Sequence, residues 1–311
     1  MTAVVDIPQR NSLTALIVAM RPRQWAKNVL VFAAPLAAGA LFESAVFWPS
    51  VGAFVAFCLI SSATYLLNDV RDVRSDREHP TKRARPIAAG QLSPAVAITA
   101  AIVLAAAAIG LSLWIRLALA GVIVAYALFT IAYSMFLKHE PVIELALLAM
   151  GFLLRAIAGG AASDLPISQW FLIVAGFGSL FMAAGKRYSE LHRTIEELQS
   201  ANPGDAVVTK ANIRRSLDGY TLGYLRFVWA TAAAVTITGY CLWAFDVAST
   251  PASFPWAEWS VLPFVLAILR YGIVVDRGQA EAPEDAALGD KVLLALGAIW
   301  LVLFGLGALG V

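Results

Sequence analysis

The stretch 68–86, "NDVRDVRSDREHPTKRARP", sets Asn68, Asp69, Asp72 and Asp76 ahead of Lys82, Arg83 and Arg85. If the chain is helical from Asn68 onward, about 100° per residue gathers the Asn and the three Asp within roughly a quarter turn. Arg71, Arg74 and Arg77 then fall on the other side. Oxygen-only ligands one helical turn apart suit a hard cation such as Mg2+, which binds through one or two carboxylates, waters and substrate phosphates. His79, His139 and His192 stand alone, so no softer metal is indicated. Pro80 and Pro86 break the helix and leave Lys82, Arg83 and Arg85 as a compact basic loop able to meet several phosphate oxygens. Carboxylates for a metal beside cations for phosphate describe a diphosphate site. Membrane orientation alone would explain the arginines, but it needs no acidic face.

A second charged stretch, "AAGKRYSELHRTIEEL", places Lys186 and Arg187 beside the hydroxyl of Tyr188, a set suited to phosphate recognition. Lys186, Glu190, Arg193 and Glu197 also share one helical face, as they would in a solvated helix tied by side-chain pairs. Further on, Arg214, Arg215 and Asp218, and then Asp276, Glu281, Glu284 and Asp285, read as solvated loops. Arg155, in "GFLLRAIAGGA", is a charge within an apolar run. It requires a partner or a polar cavity, with Asp72 or Glu144 as candidates.

The elements that must position these residues are membrane helices. The 311 residues are 60% hydrophobic and only 14% charged, with mean hydropathy +0.74. Apolar runs of about twenty residues recur along the chain, the length that crosses a bilayer core. Because the runs are apolar all round, a large soluble core is excluded. Nine spans are expected, at 27–44, 48–67, 95–114, 117–137, 142–162, 168–185, 224–245, 257–275 and 291–310. With the N-terminus inside, all of the 23 Lys and Arg except Arg116 and Arg155 fall on the cytoplasmic face, as the positive-inside bias requires. The expectation is an all-α polytopic protein forming a single membrane domain over 1–311. Residues 1–26 would be an interfacial segment, and 68–94 and 186–223 cytoplasmic loops bearing the active site. The opening residues lack a small-residue cleavage site and do not read as a signal peptide. Cys58 and Cys241 read as small buried hydrophobes. Each long loop begins with a charged cluster at the end of an inward span, a weak internal echo.

"YLLNDVRDVRSDREHPTKRARPIAAG" resembles the first aspartate-rich motif of the UbiA-type intramembrane prenyltransferase superfamily, and "YSMFLK" at 133–138 is also similar to that family. The resemblance implies nine helices around a central cavity, Mg2+ at the cytoplasmic loops, and a polyprenyl chain entering from the bilayer. Ordinary members carry a second aspartate-rich motif after the sixth helix, where this chain reads "GKRYSELH". Together with "RPRQWAKN" and "RAIAGG", that departure resembles the decaprenyl-phosphate phosphoribosyltransferase branch of bacterial arabinan cell-wall synthesis. This branch implies 5-phosphoribosyl 1-diphosphate as donor and a polyprenyl phosphate as acceptor, with no nucleic-acid partner. Three anionic groups then meet, which asks for more cations and fewer carboxylates.

On this resemblance Asn68, Asp69, Asp72 and Asp76 hold the metal on the donor diphosphate, and Lys82, Arg83 and Arg85 clamp its phosphates. Lys186, Arg187 and Tyr188 position phosphate oxygens. Glu190 orders a ribose hydroxyl or pairs with Lys186, and Lys27 and Lys138 are candidates for the lipid phosphate. A plasma-membrane location is implied, with homo-oligomers open to Gly/Ala stretches such as "AIAGGAA". An aromatic prenyltransferase shares the acidic motif and is the nearest rival. A transporter would need charges lining several spans.

Overall fold

The computed structural model describes residues 11–79, 81–200, 217, 219–247 and 254–309. Among them the regular structure is helical: α1 (Ser12–Ala19), a 3-10 helix (Pro22–Phe32), α2 (Ala33–Ala37), α3 (Ser44–Arg71), α4 (Val73–Glu78), α5 (Pro94–Ile115) and α6 (Leu117–Ala132). A π turn (Tyr133–Leu137) leads to α7 (Ile143–Ser163), α8 (Gln169–Ser200), α9 (Leu222–Val247), α10 (Trp256–Asp276), α11 (Pro283–Gly289) and α12 (Lys291–Ala308). Arg214, Arg215 and Asp218 lie outside the described residues.

Eight helices are long and apolar enough to cross a membrane among the described residues, and they match eight of the nine expected spans. The first expected span, 27–44, is different. Its residues continue the 3-10 helix that starts at Pro22, pass through the short α2, and end in a turn at Gly39. Polar side chains explain the 3-10 winding. Trp25 Nε1 donates to Ser62 Oγ at 3.1 Å and Asn28 Nδ2 to Cys58 Sγ at 3.3 Å, so this segment turns hydrogen-bonding groups toward α3. Gly39 ends α2 at φ 67°, where a Cβ would stand 2.1 Å from the Ala308 carbonyl oxygen. A second difference concerns α8. The stretch expected to be loop from 186 onward is helix as far as Ser200.

Packing divides the chain into two compact units. One comprises the described residues within Met1–Ala33, Glu43–Ser134 and Arg155–Leu165. Here α3 lies along α5, and both contribute small residues: Ala63 from α3 and Ala97 and Ala101 from α5 are buried with Leu66, Ile87 and Leu92. Small side chains let helix backbones approach closely where lipid supplies no hydrophobic drive between helices. α1 joins this cluster through Ala15 and Ala19. The other unit comprises the described residues within Ala34–Phe42, Met135–Leu154 and Pro166–Val311. In it α8 packs on α9 and α10 on α12. Tyr240, Trp243, Phe304 and their neighbours Phe264 and Trp300 form an aromatic cluster. The Tyr240 hydroxyl accepts from Trp300 Nε1 at 2.7 Å and bonds Ser260 Oγ at 2.7 Å, so the buried polar groups of the cluster are paired.

Arg155 is 6% exposed within the first unit. Its Nε donates to Asn28 Oδ1 and its Nη2 to the Tyr126 hydroxyl, both at 2.8 Å, and the guanidinium lies over the Tyr126 ring at 4.8 Å. Of the carboxylates expected for it, Glu144 is engaged by Arg187. A neutral amide, a phenol and an aromatic face serve it here. Asn28→Ala leaves a buried guanidinium N–H without its acceptor. It should lower stability by about 2 kcal/mol in denaturant or thermal melts of the detergent-solubilised protein.

Candidate active site

α3 carries the acidic motif to the end of its apolar run. Asp72 adopts φ −87°, ψ 8° and interrupts the helix, yet Asp72 N donates to Asn68 O at 2.9 Å and Asp76 N to Asp72 O at 2.8 Å. The i to i−4 ladder thus passes through the break, and the expected facial sorting survives. Asp69 and Asp76 are buried, Asn68 and Asp72 half-buried, and Arg71, Arg74 and Arg77 exposed. Arg85 of the basic loop reaches back over this face. Its Nη1 donates to Asp69 Oδ1 at 3.1 Å and to Asp76 Oδ2 at 2.7 Å, while Arg21 donates to Asp69 Oδ1 at 2.5 Å.

One atom of this cluster and one of the basic loop are left over. Asp69 Oδ2 and Arg83 Nε are buried and have no hydrogen-bond partner. A carboxylate oxygen held bare by its surroundings is a vacant hard ligand, and a bare guanidinium N–H is a vacant phosphate donor. Among the described residues no three His, Cys, Asp or Glu side chains converge on one point. The Asn and Asp set therefore fits Mg2+ only in the manner usual for that ion, one or two carboxylates completed by water and substrate phosphate. The π turn closes one side. Ser134 Oγ donates to Asn68 Oδ1 at 2.6 Å, and the Ser134 carbonyl accepts from Arg71. The "YSMFLK" stretch thus orients the first residue of the acidic motif.

In the other unit α8 presents the basic cluster as one helical turn. Arg187 is 1% exposed and all but enclosed by carboxylates. Nε donates to Glu144 Oε1 at 2.8 Å, Nη2 to the same oxygen, and Nη1 to Glu190. The expected phosphate ligand is therefore an ion-paired residue, and Glu190 pairs with it. Tyr188, also buried, accepts from Arg226 Nη2 at 2.9 Å, and Arg226 bonds Asp276 at 2.8 Å. Lys186 is half-buried at the start of this turn. The segment after α10 straps the same turn. Ala280 N donates to Ser189 Oγ at 3.0 Å, Arg193 meets Glu281 at 2.7 Å, and Gly278 (φ 71°) passes so close to His192 that a Cβ would stand 2.8 Å from its Nδ1.

The structure thus brings Asp69, Asp76 and Arg85 together, ties Asn68 to Ser134, and ties Arg187 to Glu190. Asp72, Lys27 and Lys138 are half-buried and Lys82 is exposed. Sequence reasoning missed Arg21, Ser134, Ser189 and Arg226 as supports, and took Asp276 and Glu281 for loop charges. Glu144 carried a usable signal, since a carboxylate inside the run "IELALLAM" requires a cation. Ser134 and Ser189 carried none, because a lone serine is common both in apolar membrane helices and in charged stretches, and neither has a spacing that marks a partner.

Two outcomes are expected. Glu144→Ala strands a buried guanidinium and should cost about 3–5 kcal/mol, whereas Glu144→Leu with Arg187→Met should recover most of that loss in the same melts while leaving the enzyme impaired. The second concerns His79. Its burial, helped by Lys82, pushes the imidazole below its ordinary 6.5. The neutral Nδ1 accepts from the Thr81 and Lys82 amides at 3.3 and 3.4 Å. A lowered folded-state pKa means the contribution is full above 6.5 and is lost as pH falls through the folded value. Hydrogen exchange at these two amides, corrected for intrinsic rates, should accelerate on acidification below 6.5. In His79→Ala the acceleration should vanish.

Residues 29–288 match the family model described as the UbiA prenyltransferase family. A decaprenyl-phosphate phosphoribosyltransferase of Corynebacterium glutamicum is 50% identical over 302 residues, covering 94% of this chain and 86% of the relative. One from Mycobacterium tuberculosis is 46% identical over 306 residues, 97% of each chain. Among solved structures, a UbiA homolog from Archaeoglobus fulgidus bound to GPP and Mg2+ is similar at TM-score 0.67 and 15% identity, over 96% of this chain and 100% of that one. That last likeness is one of fold. With the acidic motif on its helix end, the match across most of the chain and relatives at half identity, the chain belongs to the UbiA prenyltransferase family.

Proposed function

We propose that this multi-pass membrane transferase moves the 5-phosphoribosyl group of 5-phosphoribosyl 1-diphosphate to a polyprenyl (decaprenyl) phosphate, releasing diphosphate, with Mg2+ as cofactor. The observation that carries the reading is the unlike chemistry of two clusters. One holds buried carboxylates with an open oxygen, and the other is a cationic helical turn whose carboxylates are already committed to Arg187. An aromatic prenyl transfer brings one diphosphate and has less use for a further cation such as Lys186. The phosphoribosyl reading is also the one supported by the names of relatives 46–50% identical over nearly the whole chain.

Asn68, Asp69, Asp72 and Asp76 would hold the metal, which supplies positive charge to the diphosphate as it leaves. Arg85 keeps Asp69 and Asp76 together despite their like charge and turns to the diphosphate when donor binds. Lys82 and Arg83 add N–H donors to the same phosphates. The bond from ribose C1 to the diphosphate oxygen breaks, and its electron pair leaves with diphosphate. A lipid phosphate oxygen then bonds to C1. That oxygen is already an anion, so no strong general base is needed and positioning carries the reaction.

Lys186 and the Tyr188 hydroxyl position phosphate oxygens, and Arg187 fixes their helical turn through Glu144 and Glu190. Glu190, at 18% side-chain exposure against 1% for Glu144, is the carboxylate open to a ribose hydroxyl. Lys27 and Lys138 remain the candidates for the lipid phosphate. The N-terminus and both clusters face the cytoplasm on the charge distribution, and the membrane is the plasma membrane. Cell-wall arabinan synthesis would consume the product.

Membranes containing the protein, given labelled 5-phosphoribosyl 1-diphosphate, polyprenyl phosphate and Mg2+, should move label into the organic phase. EDTA should stop it, and Asp72→Ala should reduce turnover by about three orders of magnitude or more without loss of fold. Prenyl transfer to an aromatic acceptor without phosphoribosyl transfer would overturn the reading.

A further inference from the structure

A cavity of about 460 Å3 opens where the end of α10, the short α11 and the start of α12 meet. None of its lining residues belongs to the acidic motif or to the 186–190 turn. Three cations line it, Arg270, Arg277 and Lys291, with Asp285 and Asp290. These five charges are not equivalent. Asp290 uses Oδ1 to accept from the Val292 and Leu293 amides at 2.9 and 3.2 Å, capping α12, and Oδ2 to hold Arg270 at 2.7 Å. Its charge and that of Arg270 are spent within the fold. Arg277 and Lys291 are both exposed and form no ion pair among the described residues, which leaves Asp285 as the only other charge described on the wall. The cavity therefore keeps an excess of positive charge.

Its surroundings are apolar. Ile273 and Val292 line it at 44% and 51% exposure, and Leu288 beside it is 69% exposed. The helices it joins, α10 and α12, are both of the membrane-crossing kind, so the cavity sits at the end of a span, where water meets lipid. A soluble anion has no use for exposed Ile, Leu and Val at the rim. A lipid with an anionic head matches both parts, its phosphate against the cations and its chains along the apolar side. Basic pockets between membrane helices recognise such heads in this way.

We propose that this cavity binds the phosphate head group of an anionic membrane phospholipid, at a site separate from the reacting centre. Arg277 and Lys291 are its phosphate ligands, and Arg270 is held by Asp290 as part of its wall.

The test uses the full chain reconstituted in phosphatidylcholine vesicles carrying spin-labelled phosphatidylglycerol or spin-labelled phosphatidylcholine, reading the motionally restricted fraction of each label. Wild type should prefer the anionic label, and the preference should fall about fivefold for each cation removed in Arg277→Gln and Lys291→Gln. Arg23→Gln with Arg74→Gln, an equal loss of exposed charge elsewhere, should leave the preference in place. Circular dichroism checks that each variant retains its helix content. An equal fall in that control would assign the preference to general surface charge and overturn the site. Displacement of the label by excess inorganic phosphate would make a soluble anion the ligand. Displacement by polyprenyl phosphate at equal concentration would make the cavity an acceptor subsite. Either displacement overturns the phospholipid assignment.

Discussion

An ionised group beside an apolar helix must be paired or it is expelled, and the arrangement of this chain follows from how each such group is satisfied. Arg187 and Glu144 are the extreme case. Both are almost wholly enclosed, so each would be too costly to keep without the other. Their bond ties the start of α7 to the middle of α8, and the turn holding Lys186, Tyr188 and Glu190 inherits its position from it. The same rule operates in the other unit, where Asp69 and Asp76 share Arg85 and where Arg155 finds Asn28 and Tyr126.

Pairing is incomplete at the places where chemistry is expected. Asp69 spends one oxygen on two arginines and keeps the other bare, and Arg83 keeps a buried N–H unused. Such vacancies weaken a fold that has no ligand, because a desolvated polar atom without a partner is a net cost. On the proposed reading, a metal with a diphosphate would supply both missing partners, a cation for the oxygen and acceptors for the guanidinium. On that reading the cost in the free protein would become selectivity for a substrate that carries both.

The cationic turn is organised differently. Arg187 is consumed by carboxylates, and its role is to hold a helix turn in which Lys186 and the Tyr188 hydroxyl are set beside the strap of residues 276–281. Arg226 and Ser189 complete that support from two directions. Offsetting the Arg187 charge by pairing it also limits its repulsion of Lys186 on the same turn.

The apolar runs, the cation bias and the Asn-Asp spacing were legible in the sequence because each rests on a local rule: span length, loop charge, and about 100° per helical residue. Eight spans and the sorted acidic face followed from these rules. Tertiary structure alone decided the 3-10 winding of residues 22–32, where Trp25 and Asn28 hydrogen-bond to α3. It also decided partner choice. Arg155 was readable as a buried charge, but whether Asp72, Glu144 or a phenol and an amide would answer it depends on which helices pack together, and spacing along one helix does not encode that. The sequence by itself determined where along the helices the acidic and basic clusters stand. Which of their residues are committed to one another, and which atoms stay vacant for a ligand, only the packing could settle, because desolvation and pairing are properties of the assembled surroundings.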